Sequence, residues 1–243
     1  MNSGVKIEAI AQTVIQLFIQ LQKSAYTDDQ LVTVRRAYEL AMRLFTGSYS
    51  GSGKTTISHL VGTASILEKL SAPVPIVVAG LLHSAYMTGD FGTGKAAITD
   101  AKRERIKSAV GAEAEEYVFR FAHLRWWPKD LAPILASMDS LGAVDREVLL
   151  IRLADDLDRY SDLGALYMYR DTSEARQFII EYGETMLAIA SKLAYPALSD
   201  ALCRAFEETL NARIPGFLCD LKWPESSPVI APASYLKIPS APR

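Results

Sequence analysis

VPIVVAGLLH, residues 74–83, decides the fold class. Its β-branched start would suit a buried strand. Its apolar character continues through Ala85 and Tyr86, and that length favours a buried helix. The segments on either side repeat apolar residues at three- and four-residue steps. Residues 5–23 carry Val5, Ile7, Ile10, Val14, Phe18 and Leu21; residues 28–45 carry Leu31, Val34, Tyr38, Leu40 and Leu44 behind the cap candidates Thr27 and Asp28. The expectation is all-α, with helices at 5–23, 28–45, 55–70, 74–88, 98–109, 111–125, 129–138, 143–167, 172–194 and 197–213. Pro75, Pro128 and the pair Thr172/Ser173 stand where helix starts expect them. A single helical domain is expected over 1–213, followed by an extended, Pro- and Ser-rich tail over 214–243 without apolar period.

Composition narrows the function. The 243 residues carry 26 Lys and Arg against 28 Asp and Glu, a formal charge of −2, with 49% apolar residues. Phosphate-backbone binding is mainly electrostatic, so this balance argues against a nucleic-acid partner. No apolar run reaches the roughly 18 residues of a membrane-spanning helix, so no membrane association is expected. The start MNSGVKIEAIAQ places Glu8 in its first apolar stretch, unlike a signal peptide. Cys203 and Cys219 match neither a disulfide framework nor a zinc knuckle and are read as reduced, which suits a cytoplasmic protein.

Three histidines are available: His59, His83 and His123. His59 lies early in one helix and His83 late in the next, so an antiparallel pair joined near Ser71–Pro73 would bring the two imidazoles together. Histidines on facing helices are a common way to build a divalent metal site; the alternative is two satisfied histidines near a core. In LLIRLADDLDRYSDL, residues 149–163, Asp155 sits beside a leucine stripe and needs a cation, either Arg159 four residues on or a metal. Asp156, Asp158 and Asp162 read as a solvated charged face.

Two glycine-rich stretches are set aside. SYSGSGKTT lacks the first glycine of a P-loop and has a helical segment where a strand is required. Lys54, at a helix start, could still meet an anion. FGTGK, residues 91–95, reads as a loop at the mouth of a site, with Lys95 a phosphate or carboxylate contact. Trp126-Trp127-Pro128 reads as packing or an interface anchor.

The order Gly47, Ser52-Gly53, His59, Leu81-Leu82-His83 and Leu153-Ala154-Asp155 resembles the HD-domain superfamily over roughly residues 35–165. It is most similar to the hydrolase domain of stringent-response (p)ppGpp synthetase/hydrolases. The resemblance implies an all-α HD-like bundle with a metal held by His59, His83 and Asp155. Ser84 replaces the Asp of the family's His-Asp pair, Met87 and Thr88 an acidic pair, Ser50 a basic residue and Thr55 a proline. These replacements argue against (p)ppGpp as substrate and bring the chain nearer to a His-Ser variant subgroup with no established activity. Losing a carboxylate favours a His-rich centre suited to Fe, Zn or Ni over hard ions. His123 is then the candidate fourth ligand, its alternative role being to cap a helix end beside the tryptophans. The expected cofactor is a divalent metal, with Fe, Zn and Mn as candidates.

Three functions compete. The first is a metal-dependent hydrolase of a small phosphorylated or otherwise anionic metabolite, with Lys54, Lys95 or Arg152 holding the anion and Ser84 and Tyr86 lining the pocket. The second is a non-haem iron oxygenase of HD fold. The third is a catalytically degenerate domain kept for ligand sensing or assembly. A small molecule is the expected partner, and a homodimer is the expected form of any assembly.

Overall fold

The computed structural model describes residues 7, 9–50, 53–93, 97–167 and 172–215. Among these residues eleven α-helices follow one another: α1 Val14–Lys23, α2 Asp28–Phe45, α3 Thr56–Lys69, α4 Val74–Leu82, α5 Ala85–Thr88, α6 Asp100–Val110, α7 Ala112–His123, α8 Pro128–Ser137, α9 Ala143–Tyr160, α10 Thr172–Lys192 and α11 Pro196–Asn211. Among the described residues the only β pairing is an isolated bridge between Tyr49 and Thr55. The chain is all-α, and residues 74–82 are helical. No helix among the described residues is long and apolar enough to cross a membrane.

Local chemistry sets the helix ends. Thr13 and Thr27 accept from the backbone N–H of Gln16 and Gln30, and those glutamines reach back to the cap N–H groups. Each capping box satisfies donors that a helix start otherwise leaves open. The α3–α4 link is a Schellman turn: Ser71 takes the left-handed conformation (φ 57°), its N–H donates to Glu68 O, and Ala72 N–H donates to Leu67 O. That turn reverses the chain within four residues, 70–73.

The α3–α4 hairpin is the centre of the molecule. From His59 to Glu68 every residue of α3 is buried, and from Ile76 to Leu82 every residue of α4 is buried. α3 packs against α1, α2, α4 and α9, while α4 also meets α2, α7 and α9. Small residues permit this crowding. A Cβ on Gly80 would press on Leu67 and the Ala64 backbone across the α3–α4 contact. A Cβ on Gly62 would overlap the Asp158 carboxylate across the α3–α9 contact. One apolar cluster runs from Ile7 to Phe206 through all these layers.

Three expected helices are shorter than their apolar patterns. The first begins at Val14, not residue 5, because Thr13 caps it. Ile7 and Ala11 before it are nevertheless buried, and Ala11 N–H donates to Ser65 Oγ (2.9 Å). The 74–88 helix breaks at His83 and Ser84, and α5 resumes at Ala85. The 143–167 helix stops at Tyr160, because Asp162 (φ 55°) and Leu163 (φ 62°) both turn left-handed, which a continuous right-handed helix excludes. The expected tail lies outside the described residues from 216 onward, as do Cys219, Ser52 and Lys95.

Candidate metal centre

His59 sits one turn into α3, His83 at the C-terminal end of α4, and Asp155 in the second half of α9. The short α3–α4 turn places the two imidazoles together, with centroids 5.2 Å apart and planes at 85°. Asp155 reaches them from the third helix. One donor atom from each of His59, His83 and Asp155 lies within 4.8 Å of the others, all in fully buried or nearly buried side chains.

The ring orientations are fixed from behind. His59 Nδ1 is 2.7 Å from Asp158 Oδ2, and His83 Nδ1 is 2.8 Å from Gly80 O. Both acceptors lack protons, so each Nδ1 carries a hydrogen, and in the neutral ring Nε2 is the nitrogen that offers a lone pair. Metal-binding histidines show this back-bonded arrangement, in which the second ring nitrogen is held by a carboxylate or carbonyl. Asp158 is braced in turn by Lys54 Nζ at 3.0 and 3.2 Å.

The atoms facing the centre make no hydrogen bond of good geometry, although Arg152 and Arg159 lie within ion-pair distance of the Asp155 oxygens. His59 Nε2, His83 Nε2 and both Asp155 carboxylate oxygens are the buried side-chain polar atoms without a hydrogen-bond partner among the described residues. Asp155 Oδ1 lies 2.8 Å from His59 Nε2 and 3.5 Å from His83 Nε2. These contacts lack hydrogen-bond angles, because the groups aim at common space rather than at each other. Buried polar atoms are rarely left so. A cation at the point of convergence would satisfy all three groups, and the cluster could therefore hold a metal ion.

Electrostatics set the protonation states. Burial pulls the His83 pKa down more than Asp155 pulls it up, so His83 is neutral. Burial opposes charging His59 as well, but Asp155 and Asp158 outweigh it and raise its pKa. Burial would raise the Asp155 pKa; Arg159 and Arg152 hold it well below the usual range, so it is ionised. Arg152 Nη1 is 2.8 Å from Asp155 Oδ2 and Arg159 Nε 3.0 Å from Asp155 Oδ1. Asp158 is likewise held low against its burial by His59 and Lys54.

The structure brings His59, His83, Asp155, Lys54 and Arg152 to one place and leaves others elsewhere. Tyr86 is buried with its hydroxyl donated to Glu115 Oε1 (2.6 Å). Ser84 is buried at the α4–α5 break, where its carbonyl accepts from Met87 and Thr88 N–H. His123 is not part of the cluster. It is exposed at the last turn of α7, with Nδ1 2.8 Å from Phe119 O and its ring against Phe119. From the same helix it is Phe121 that meets His83, at 4.9 Å between ring centroids.

Two aspartates expected on a solvated face are buried. Asp156 Oδ2 accepts from Trp126 Nε1 (2.9 Å), and its carboxylate pairs with Arg152. Asp158 supports His59. The sequence signal for Asp158 was its i+3 spacing from Asp155, which puts both on one helix face.

Comparison with known proteins gives distant relatives. A family model described as a domain of unknown function (DUF6817) matches residues 42–125, which span His59, His83 and His123. The chain is 26% identical over 186 residues to a probable GTP diphosphokinase, RSH2, chloroplastic, of Oryza sativa subsp. japonica, covering 72% of this chain and 23% of that protein. It is 24% identical over 173 residues to a probable GTP pyrophosphokinase of Mycobacterium leprae, with 68% and 20% covered. It is 23% identical over 192 residues to a GTP pyrophosphokinase of Streptomyces antibioticus, with 74% and 22% covered. The chain thus spans about a fifth to a quarter of these relatives' length.

Proposed function

We propose that this chain is an HD-like, metal-dependent hydrolase of a small phosphorylated metabolite, a nucleotide being the favoured class. The observation that carries the reading is the convergence of buried donor atoms from His59, His83 and Asp155 that make no hydrogen bond. The nucleotide class rests on the distant relatives whose names are GTP diphosphokinase and GTP pyrophosphokinase. The replacements at Ser84, Met87 and Thr88 keep (p)ppGpp itself out of the proposal.

The donor set fits a divalent ion with open coordination positions: two imidazoles and one carboxylate hold catalytic zinc in some hydrolases. Such an ion would polarise a phosphoryl oxygen and activate water for attack. The chain supplies the rest. Asp155, Asp156 and Asp158 are matched in formal charge by Lys54, Arg152 and Arg159. A divalent ion therefore leaves the surroundings about two charges positive, which suits a dianionic phosphoryl group. The side chains of Lys54, Arg152 and Arg159 are 20%, 17% and 27% accessible, which puts these cations at the edge of the buried cluster, where such a group would approach. Arg152 is tied to both Asp155 and Asp156, which fixes its guanidinium.

Protein purified without chelators is expected to contain about one equivalent of divalent metal and to hydrolyse phosphorylated metabolites in a substrate screen. His83→Ala should lose both metal and turnover. Full metal content and activity in that variant would overturn the reading. The same donor set is also that of two-histidine, one-carboxylate iron oxygenases. Stoichiometric iron with O₂-dependent turnover after anaerobic purification would select that chemistry.

A further inference from the structure

Beyond the three convergent side chains, one buried carboxylate is built into the centre from behind. We propose that Asp158 is the positioning residue of the metal centre, locking His59 in the ligating tautomer and supplying a second buried negative charge. This rests on the metal-centre reading above.

Its geometry is specific. Asp158 is 1% exposed, although aspartate is rarely buried without a task. Its Oδ2 faces His59 Nδ1 at 2.7 Å, which forces Nε2 toward Asp155 and His83. Its other oxygen points to α3, where only a glycine leaves room: any Cβ at Gly62 would overlap Oδ1. Gly62 follows His59 by three residues, so ligand and vacant space lie on one face of α3. Asp155 and Asp158 are spaced identically on α9. The two helices thus meet as a matched pair of i,i+3 positions, ligand to ligand and support to gap.

Charge gives the second reason. Two neutral imidazoles and one carboxylate offer a dication a single negative charge, and Arg152 and Arg159 partly neutralise it. Asp158, through the His59 ring, adds electron density at Nε2 without occupying a coordination position. Gln12 Nε2, 3.5 Å from Asp158 Oδ1, and Lys54 close the rear of this carboxylate. The centre therefore keeps its open positions for substrate.

The test titrates Co²⁺ or Zn²⁺ into chelator-stripped full-length protein and follows the imidazole protons by NMR. Wild type should bind one equivalent and show a hydrogen-bonded His59 Nδ1–H. Asp158→Asn keeps an acceptor but drops the charge; it should still bind one equivalent, about 10- to 100-fold more weakly. Asp158→Ala should in addition lose the His59 Nδ1–H signal. Gly62→Ala, which displaces the carboxylate without removing it, should reproduce the weakening. Circular dichroism of the apo forms shows that each variant is folded; should Asp158→Ala unfold, Asp158→Asn and Gly62→Ala decide. Wild-type affinity in Asp158→Asn would overturn this proposal and leave the metal centre standing. No binding by the wild type would overturn the metal-centre reading itself.

Discussion

Asp155→Ala is expected to abolish metal binding and to lower the melting temperature of the metal-free protein by roughly 5–10 °C. Asp155 is fully buried and lies within ion-pair distance of Arg152, Arg159 and His59. Removing one partner of a buried ion pair costs about 3–5 kcal/mol, because the remaining charge is left without compensation. Here the arginine side chains are partly accessible and Arg152 retains Asp156, so about 2–3 kcal/mol is the appropriate scale. For a chain of this size each kcal/mol corresponds to about 2–4 °C. Asp155→Asn should retain more of the stability, because it preserves volume, yet lose the metal equally. Differential scanning calorimetry on chelated samples measures the first effect and metal analysis the second. An unchanged melting temperature together with retained metal would show that Asp155 is neither a charge partner nor a ligand.

Glu115→Leu should destabilise the fold by about 3 kcal/mol and lower metal affinity from a distance. Glu115 is fully buried on α7 and accepts from Arg103 Nε (2.6 Å), Arg103 Nη2 (2.8 Å) and Tyr86 Oη (2.6 Å). Arg103 is also stacked over the Phe119 ring, 3.8 Å from its centroid. The carboxylate therefore joins α6 and α7 to α5, the short helix after His83. Leucine fits the volume but leaves the buried Tyr86 hydroxyl unpaired and Arg103 with Glu116 as its remaining partner, a cost of about 1–3 kcal/mol for the hydroxyl and less for the partly exposed guanidinium. Because α5 starts two residues after His83, loosening it relaxes the α4 end that aims the ring. Urea unfolding reads the stability term and a metal titration the coupling. Wild-type stability in the variant would mean that the cluster is decorative.

The fold was legible wherever burial is helical and continuous. The α4 stretch is apolar on every side, so its length rather than its periodicity marked it as a helix, and the structure buries it together with most of α3. Helix ends were less legible. Nothing in Leu82-His83-Ser84 signals a break, since neither glycine nor proline is present; packing imposes it. The stop at Tyr160 follows from left-handed residues at Asp162 and Leu163, of which only the aspartate favours that conformation. In the candidate site, the pairing of His59 with His83 was readable because a short turn between two helices leaves one geometry. His123 was not, because the carboxylate missing at Ser84 suggests a further ligand but says nothing about the direction of the His123 ring. Phe121 faces the cluster, and a residue two positions on in a helix points to the opposite side. Asp158 was misread because a run of acids and arginines resembles a solvated face. Gly62, which makes room for it, carries no side chain to announce the approach.

X-ray absorption at the edge of the metal retained by protein purified without chelators tests the central claim most directly. The account predicts a first shell containing two imidazole nitrogens and a carboxylate oxygen at roughly 2.0–2.2 Å, with one imidazole lost from the spectrum in His59→Ala or His83→Ala. Oxygen neighbours alone, or a spectrum indifferent to both substitutions, would place the metal elsewhere and contradict it.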